Sequence, residues 1–208
     1  MLNLRYQWVA QDAVLYRCPA NLTLALRNWL AEQPVPVLGL ICGVDSVLLR
    51  TQPNIEPPVP HDLTPVSASS GQLHRIEVYY GTEVGLDLER IASQTHLEVE
   101  EVIARHASVE YRVQVIGFAP GFAYLSGLDH ALECPRLDRP RTQVPAGSLA
   151  LAGTQTAIYP RMSPGGWNLM GCVPAWRRVA PSDDWCQMGD RIQFVPMTSE
   201  HYRQALHD

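Results

Sequence analysis

The sequence predicts an α+β chain, mainly β, with a small N-terminal α+β lobe followed by a β-barrel or sandwich. Three observations lead there. Short runs of strand-forming residues alternate with turn signals along most of the chain. Helical spacing of apolar residues is confined to a few short segments. A Pro- and Ser-rich stretch, residues 51–72, divides two regions of different pattern.

In the first region, LRYQWV and AVLYRC read as strands around a turn at Gln11-Asp12. Asn21 can N-cap a helix whose Leu22, Leu26, Trp29 and Leu30 form one apolar stripe. PVLGLIC and SVLLR follow as strands around Gly43-Val44-Asp45. Residues 51–72 then act as a linker or extended arm, because Pro interrupts both helices and sheet ladders. The predicted boundaries are therefore 1–72 for the lobe with its linker and 73–208 for the barrel.

The second region opens with the strand LHRIEVYY. Two short helices follow, DLERIASQ and EVEEVIARHA, the latter with Val99, Val102, Ile103 and His106 on one face. YRVQVIGF alternates with period two, as a half-buried strand does. SLALAG, TAIYP, WNLMGCV and DRIQFV supply further short strands between Gly and Pro residues.

Composition excludes several classes. The 208 residues carry a formal charge of −5, which disfavours a nucleic-acid binder. No apolar run is long enough to span a bilayer, and the N-terminus lacks the form of a signal peptide, so the cytoplasm is expected. Five widely spaced cysteines without a CxxC argue for reduced thiols and against a metal site. Every one of the 16 basic residues is Arg. Without Lys there is neither a Schiff-base lysine nor a Walker A loop.

The informative stretch is 117–174. Phe118, Pro120, Gly121, Phe122 and Tyr124 lie in one Gly- and Pro-stiffened segment. Arg136 and Arg141 each follow a Pro, and Pro145, Gly147 and Ser148 come next. Gln155, Tyr159, Ser163, Gly165, Gly166 and Trp167 complete the set. Such loops can hold aromatic and polar side chains at a barrel mouth, the usual place for a ligand. They also make ordinary barrel corners with core aromatics, and spacing alone leaves both readings open. Neither Ser148 nor Ser163 sits in a G-x-S-x-G elbow. His106 reads as a hydrogen-bonded core histidine, and His130 as solvated.

GFAPGFAYLSGL, PRL..PR..VPAGS, AG.QT.IYP and SPGGWNLMG, in this order, resemble the carboxyltransferase subdomain C/D family. That family includes allophanate hydrolase subunit 1, the B subunit of 5-oxoprolinase and the kinase inhibitor KipI. The resemblance implies a cyclophilin-like barrel and places the sixteen residues above at a substrate-binding site. It implies a partner of the allophanate hydrolase subunit 2 type, which is the C-type partner in 5-oxoprolinase. A LamB/YcsF-like protein, the A-type component, is a further one. It also implies ATP, used by the complex to open 5-oxoproline to glutamate. A KipI-like protein that binds a histidine kinase without turnover is the alternative. Three departures stand out. Gly171-Cys172-Val173-Pro174 replaces the family's GRTP, a loss worth about 1.5–3 kcal/mol if that Arg binds an anion. Gln11-Asp12 stands where Gly-Asp is usual, and Lys is absent.

Overall fold

The computed structural model describes residues 4–67 and 71–206. They form two compact units, residues 4–67 and 71–206, each with its own core.

The first unit is a four-stranded antiparallel sheet with one helix. Its elements are β1 (Arg5–Ala10), β2 (Ala13–Arg17), α1 (Thr23–Ala31), β3 (Gly39–Cys42) and β4 (Ser46–Arg50), with strand order β1-β2-β4-β3. Leu26 and Leu30 of α1 pack with Val14, Tyr16, Val47 and Leu49, all of them fully buried. Each such side chain contributes about 1.5–3 kcal/mol of apolar transfer. Asn21 does not cap this helix. A 3-10 turn, Ala20–Leu22, precedes it, and the Leu22 N–H is satisfied by the Pro19 carbonyl at 2.9 Å, so no side-chain cap forms. The third strand is shorter than PVLGLIC, because Pro34 and Pro36 offer no N–H and pairing starts only at the Leu38 N–H, on the Arg50 carbonyl. Residues 51–67 contain neither helix nor strand, yet they are tethered: the Tyr16 hydroxyl donates to the Pro58 carbonyl at 3.0 Å.

The second unit is a seven-stranded, nearly closed barrel. Its strands are β5 (Leu73–Val78), β6 (Glu110–Ile116), β7 (Ala123–Ser126), β9 (Ser148–Ala152), β10 (Gln155–Ile158), β12 (Asn168–Cys172) and β13 (Arg191–Pro196). The order is β12-β9-β10-β7-β6-β13-β5, antiparallel except for β13 with β5. A small ribbon, β8 (Arg141–Val144) with β11 (Ser163–Gly165), stands apart from the barrel sheet. Helices α2 (Leu88–Thr95) and α3 (Val99–Ala107) contribute Leu88, Ile91 and Val102 to the core formed by the inner face, where Val78, Tyr111, Leu125, Leu149, Ile158 and Phe194 point. Two short helices, α4 (Trp176–Val179) and α5 (Ser199–Ala205), complete the unit.

Strand β9, SLALA, is buried at every residue, because both faces of the sheet are covered here. Leu149 and Leu151 enter the inner core; Ala150 and Ala152 face an outer aromatic layer. The two ends of the sheet meet at one bridge. Tyr79, just after β5, exchanges both backbone hydrogen bonds with Cys172 of β12, each 2.9 Å. Gly171 makes this approach possible: a Cβ there would lie 2.7 Å from the Tyr79 carbonyl oxygen. Gly171→Ala should therefore lower stability by about 1–3 kcal/mol. Gly117→Ala, where a Cβ meets nothing within 4 Å, should stay within about 0.5 kcal/mol of the parent. Urea unfolding of both variants checks the difference.

His106, on α3, is fully buried. Its Nδ1 lies 2.9 Å from the Tyr80 hydroxyl and its Nε2 3.0 Å from Thr156 Oγ1. Thr156 donates its own proton to the Ala150 carbonyl at 2.9 Å. The threonine must then accept from the ring, so Nε2 carries the proton and Nδ1 accepts from Tyr80. Burial lowers the imidazole pKa from 6.5 to about 3. This is the hydrogen-bonded core histidine that the helix pattern predicts.

Candidate ligand site

The segment after β6 builds the first half of the site. Gly117 N–H donates to the Phe122 carbonyl and Phe122 N–H to the Ala119 carbonyl, both at 3.0 Å. The Trp185 indole N–H holds the Gly121 carbonyl at 2.8 Å. Gly121 has φ +79°, a backbone conformation that favours glycine, and a Cβ there would sit 3.4 Å from the Asp183 backbone. Phe118 also has positive φ, +74°, and is 63% exposed. An aromatic residue held in the left-handed region and presented to solvent is a feature found at binding sites.

Phe122 lies at the centre of an aromatic cluster on the outer barrel face. Phe118, Tyr124, Tyr159 and Trp167 surround it at ring-centroid distances of 4.9–5.9 Å, mostly edge to face. Ala150, Ala152 and Ala157 give this layer a flat floor. Arg136 places its guanidinium over the Trp167 ring, 5.9 Å from the centroid. Burial raises the Tyr124 and Tyr159 phenols, so both stay protonated at neutral pH. Gln155, further along β10, donates to Gln114 Oε1 at 3.1 Å.

The SPGGW motif is explained by packing. The Tyr159 hydroxyl reaches this turn at Gly165. A Cβ on Gly165 would fall on that same hydroxyl. The Gly166 carbonyl accepts from Leu137 N–H at 2.7 Å, which ties the Arg136 segment to the ribbon. Ser163 pairs with Val144 in the ribbon, and Pro120 is exposed on the 117–122 loop.

Not all sixteen residues meet. Phe118, Phe122, Tyr124, Arg136, Tyr159 and Trp167 come together, with Pro120 and Gly121 shaping the loop. Phe122, Tyr159 and Trp167 are nevertheless 2–5% exposed, so they form the cluster's body and leave Phe118, Tyr124 and Arg136 as its accessible members. Arg141 is committed elsewhere. Its two terminal nitrogens donate to the two oxygens of buried Asp87 at 2.8 and 2.9 Å, and Asp87 also accepts the Leu169 N–H at 2.7 Å. Pro145 and Ser148 line a second concavity of about 480 Å³ at the barrel seam, with Cys172, Val173, Pro174 and Trp176. Gly147, φ +83°, joins that wall to the barrel, donating to Tyr159 O and accepting from Val173 N–H.

Asp87, Gln114 and Glu83 are not legible in the sequence as partners. Arg141, Gln155 and Tyr79, which they bind, belong to other elements or to a turn, and no local spacing announces them. Burial raises the pKa of all five thiols, Cys186 to about 12, and all five are free. No low-pKa thiolate is built here. Among the described residues no group of three His, Cys, Asp or Glu could hold a metal, and no helix is long and apolar enough to cross a membrane.

The family profile for the carboxyltransferase domain, subdomain C and D, matches residues 4–180. Among curated relatives, the 5-oxoprolinase B subunit of Bacillus subtilis is 42% identical over 129 residues, 61% of this chain and 54% of that protein. The matches to this relative and to its namesakes in Haemophilus influenzae and Escherichia coli O157:H7 span between about half and three fifths of their length. The solved structure of a conserved uncharacterized protein from Pyrococcus horikoshii is 30% identical, with a TM-score of 0.58, and is covered in full by 95% of this chain. The Kluyveromyces lactis urea amidolyase shares the fold, with a TM-score of 0.74 over 99% of this chain and 15% of that one, at 16% identity.

Proposed function

The chain belongs to the carboxyltransferase domain family, subdomain C and D, and from that premise we propose that it is one component of a heteromeric, ATP-dependent 5-oxoprolinase or a related amidolyase. Its 5-oxoprolinase relatives, all B subunits, support this reading over that of a KipI-like kinase inhibitor. In it, residues 1–72 and 73–208 act as separate domains, and the protein works in the cytoplasm. Its partners are the C-type protein, of the allophanate hydrolase subunit 2 kind, and the LamB/YcsF-like A-type protein.

The observation that carries the site is the aromatic face with Arg136 over Trp167. A lactam ring can lie against Phe118 and Tyr124 while Arg136 meets a carboxylate. The neutral phenol of Tyr124 can donate a hydrogen bond to an amide oxygen.

ATP phosphates do not fit the starts of α2 and α3. A triphosphate needs a cationic cradle or free helix N-termini. The starts of α2 and α3 are instead acidic, with Asp87 and Glu89 on one and Glu98, Glu100 and Glu101 on the other. Gly85, before α2, is pressed against the Met170 backbone and cannot open around a phosphate. In this reading ATP is bound by the complex, and not through a P-loop in this chain.

The test is co-expression with the A-type and C-type partners and assay of glutamate formed from 5-oxoproline and ATP. Activity is expected in the complex and not in the isolated chain. Arg136→Ala and Tyr124→Phe, at partly exposed positions, should lower kcat/KM about tenfold or more, roughly 1.4 kcal/mol, with unchanged melting. Robust turnover by the isolated chain would refute the shared site. Stable capture of a sensor kinase by an inactive complex would favour the inhibitor.

A further inference from the structure

The loop that presents Phe118 closes on itself through the Gly117 and Phe122 amides, with Phe122 buried at its base. Among the described residues, the Trp185 indole N–H is the one donor from another segment that reaches the Phe118–Gly121 backbone, at 2.8 Å from the Gly121 carbonyl oxygen. Phe118 holds a positive φ of +74°. Such a conformation persists only where its surroundings over-determine it, and the Trp185 bond, three residues on, is one of the determining contacts. Trp185 is not itself a member of the aromatic face. Its ring packs inward, edge to face with Trp176 at 5.2 Å and with His74 at 5.9 Å. An indole turns about two side-chain torsions only, so the neighbours that fix its ring also fix the direction of its N–H.

His74, on β5, is in turn held. Its Nε2 lies 3.0 Å from Asp190 Oδ2. Asp190 is buried, and its carboxylate accepts the Gln72 N–H on Oδ1 and the Gln187 N–H on Oδ2, both at 2.9 Å. The Asp190 carbonyl accepts the Val113 N–H, and the Gly189 N–H donates to the Val113 carbonyl, both at 2.8 Å. The turn before β13 is therefore locked to the start of β5 and to β6. A contiguous set of contacts results: Asp190 holds His74, His74 and Trp176 flank Trp185, and Trp185 holds Gly121.

We propose that Trp185 is a positioning residue for the Phe118 loop, and that the His74–Asp190 pair acts on that loop through Trp185. The consequence for binding rests on the reading of the aromatic face as the lactam site. There the position of Phe118 against Tyr124 decides how well the face receives a ring, although neither His74 nor Trp185 touches the ligand.

Amide exchange followed by NMR in the isolated chain tests the anchor. Trp185→Phe keeps a ring against Trp176 and loses the N–H, so the Gly117 and Phe122 amides should exchange about tenfold faster. Amides of β9 and β10 should stay within about twofold of the parent. His74→Ala should speed the two loop amides about threefold. The double variant should match Trp185→Phe alone, because His74 acts through Trp185. Loop amides that exchange as in the parent, or a speeding spread over the whole barrel, overturn the inference. Additive effects of the two substitutions overturn the route from His74 through Trp185. In the assembled complex, Trp185→Phe should raise KM for 5-oxoproline about tenfold and leave kcat within about twofold. A looser loop with KM unmoved in an active complex supports the anchor and removes the aromatic face as the substrate site. The same loosening in a chain whose complex opens no lactam supports the anchor and removes the proposed function.

Discussion

Arg141→Ala is expected to destabilise the barrel unit by about 3–5 kcal/mol, the cost of leaving a buried carboxylate without its cation. The Asp87 side chain is 7% exposed and loses a bidentate pair, keeping only the Leu169 N–H. That pair ties the entry of α2 to β8, and the Asp87 backbone is itself bonded to β12 through the Leu169 carbonyl. At about 2–4 °C per kcal/mol, the melting temperature should fall by roughly 10 °C. The Arg141→Ala/Asp87→Ala double variant removes the stranded charge and should regain part of the loss, a coupling that a double-mutant cycle measures. If Arg141→Ala melts with the parent and loses turnover in the complex instead, Arg141 is a ligand residue and the ion pair contributes little.

Acid should unfold the barrel unit earlier than its carboxylates alone require. The cause is His106. The unfolded imidazole takes up a proton below about 6.5, whereas the folded one resists until about 3. The lowered folded pKa means that this stability is fully present above 6.5 and is lost as the pH falls towards 3. Across that window the slope is about 1.4 kcal/mol per pH unit. Among the described residues no carboxylate bonds to the ring to offset it; Tyr80, Thr156, Tyr111 and Phe194 surround it. Unfolding free energies from urea titrations between pH 7.5 and 4 should show the slope. His106→Gln should lower stability at pH 7.5 by about 1–3 kcal/mol, since a buried network is broken, and should flatten the dependence. An unchanged slope in that variant would assign acid sensitivity to other groups.

Much of the fold is legible locally. The alternation in EYRVQVI and RIQFVP, and the apolar stripe of VEEVIARHA, mark β6, β13 and α3, because side-chain period follows backbone geometry. The short elements are less so. β8, β11 and α4 have four residues or fewer, too few for any period, and exist because the ribbon and the seam turn pack onto the barrel. The candidate site is legible as a set of residues and not as a place. Gly165 is required by the Tyr159 hydroxyl and Gly171 by the Tyr79 carbonyl, contacts that no spacing rule contains.

By itself the sequence determined the chemistry on hand: arginine as the sole basic side chain apart from histidine, stiff Gly-Pro loops, an aromatic-rich motif and the family to which those motifs belong. The tertiary structure decided where each group acts. It paired Arg141 with Asp87, enclosed His106 between Tyr80 and Thr156, and gathered Phe118, Tyr124 and Arg136 on one face. The physical reason is barrel closure. Partners far apart in the chain, Arg141 with Asp87 or Leu169 with Asp87, meet only when strand register and the Tyr79–Cys172 bridge bring the ends of the sheet together.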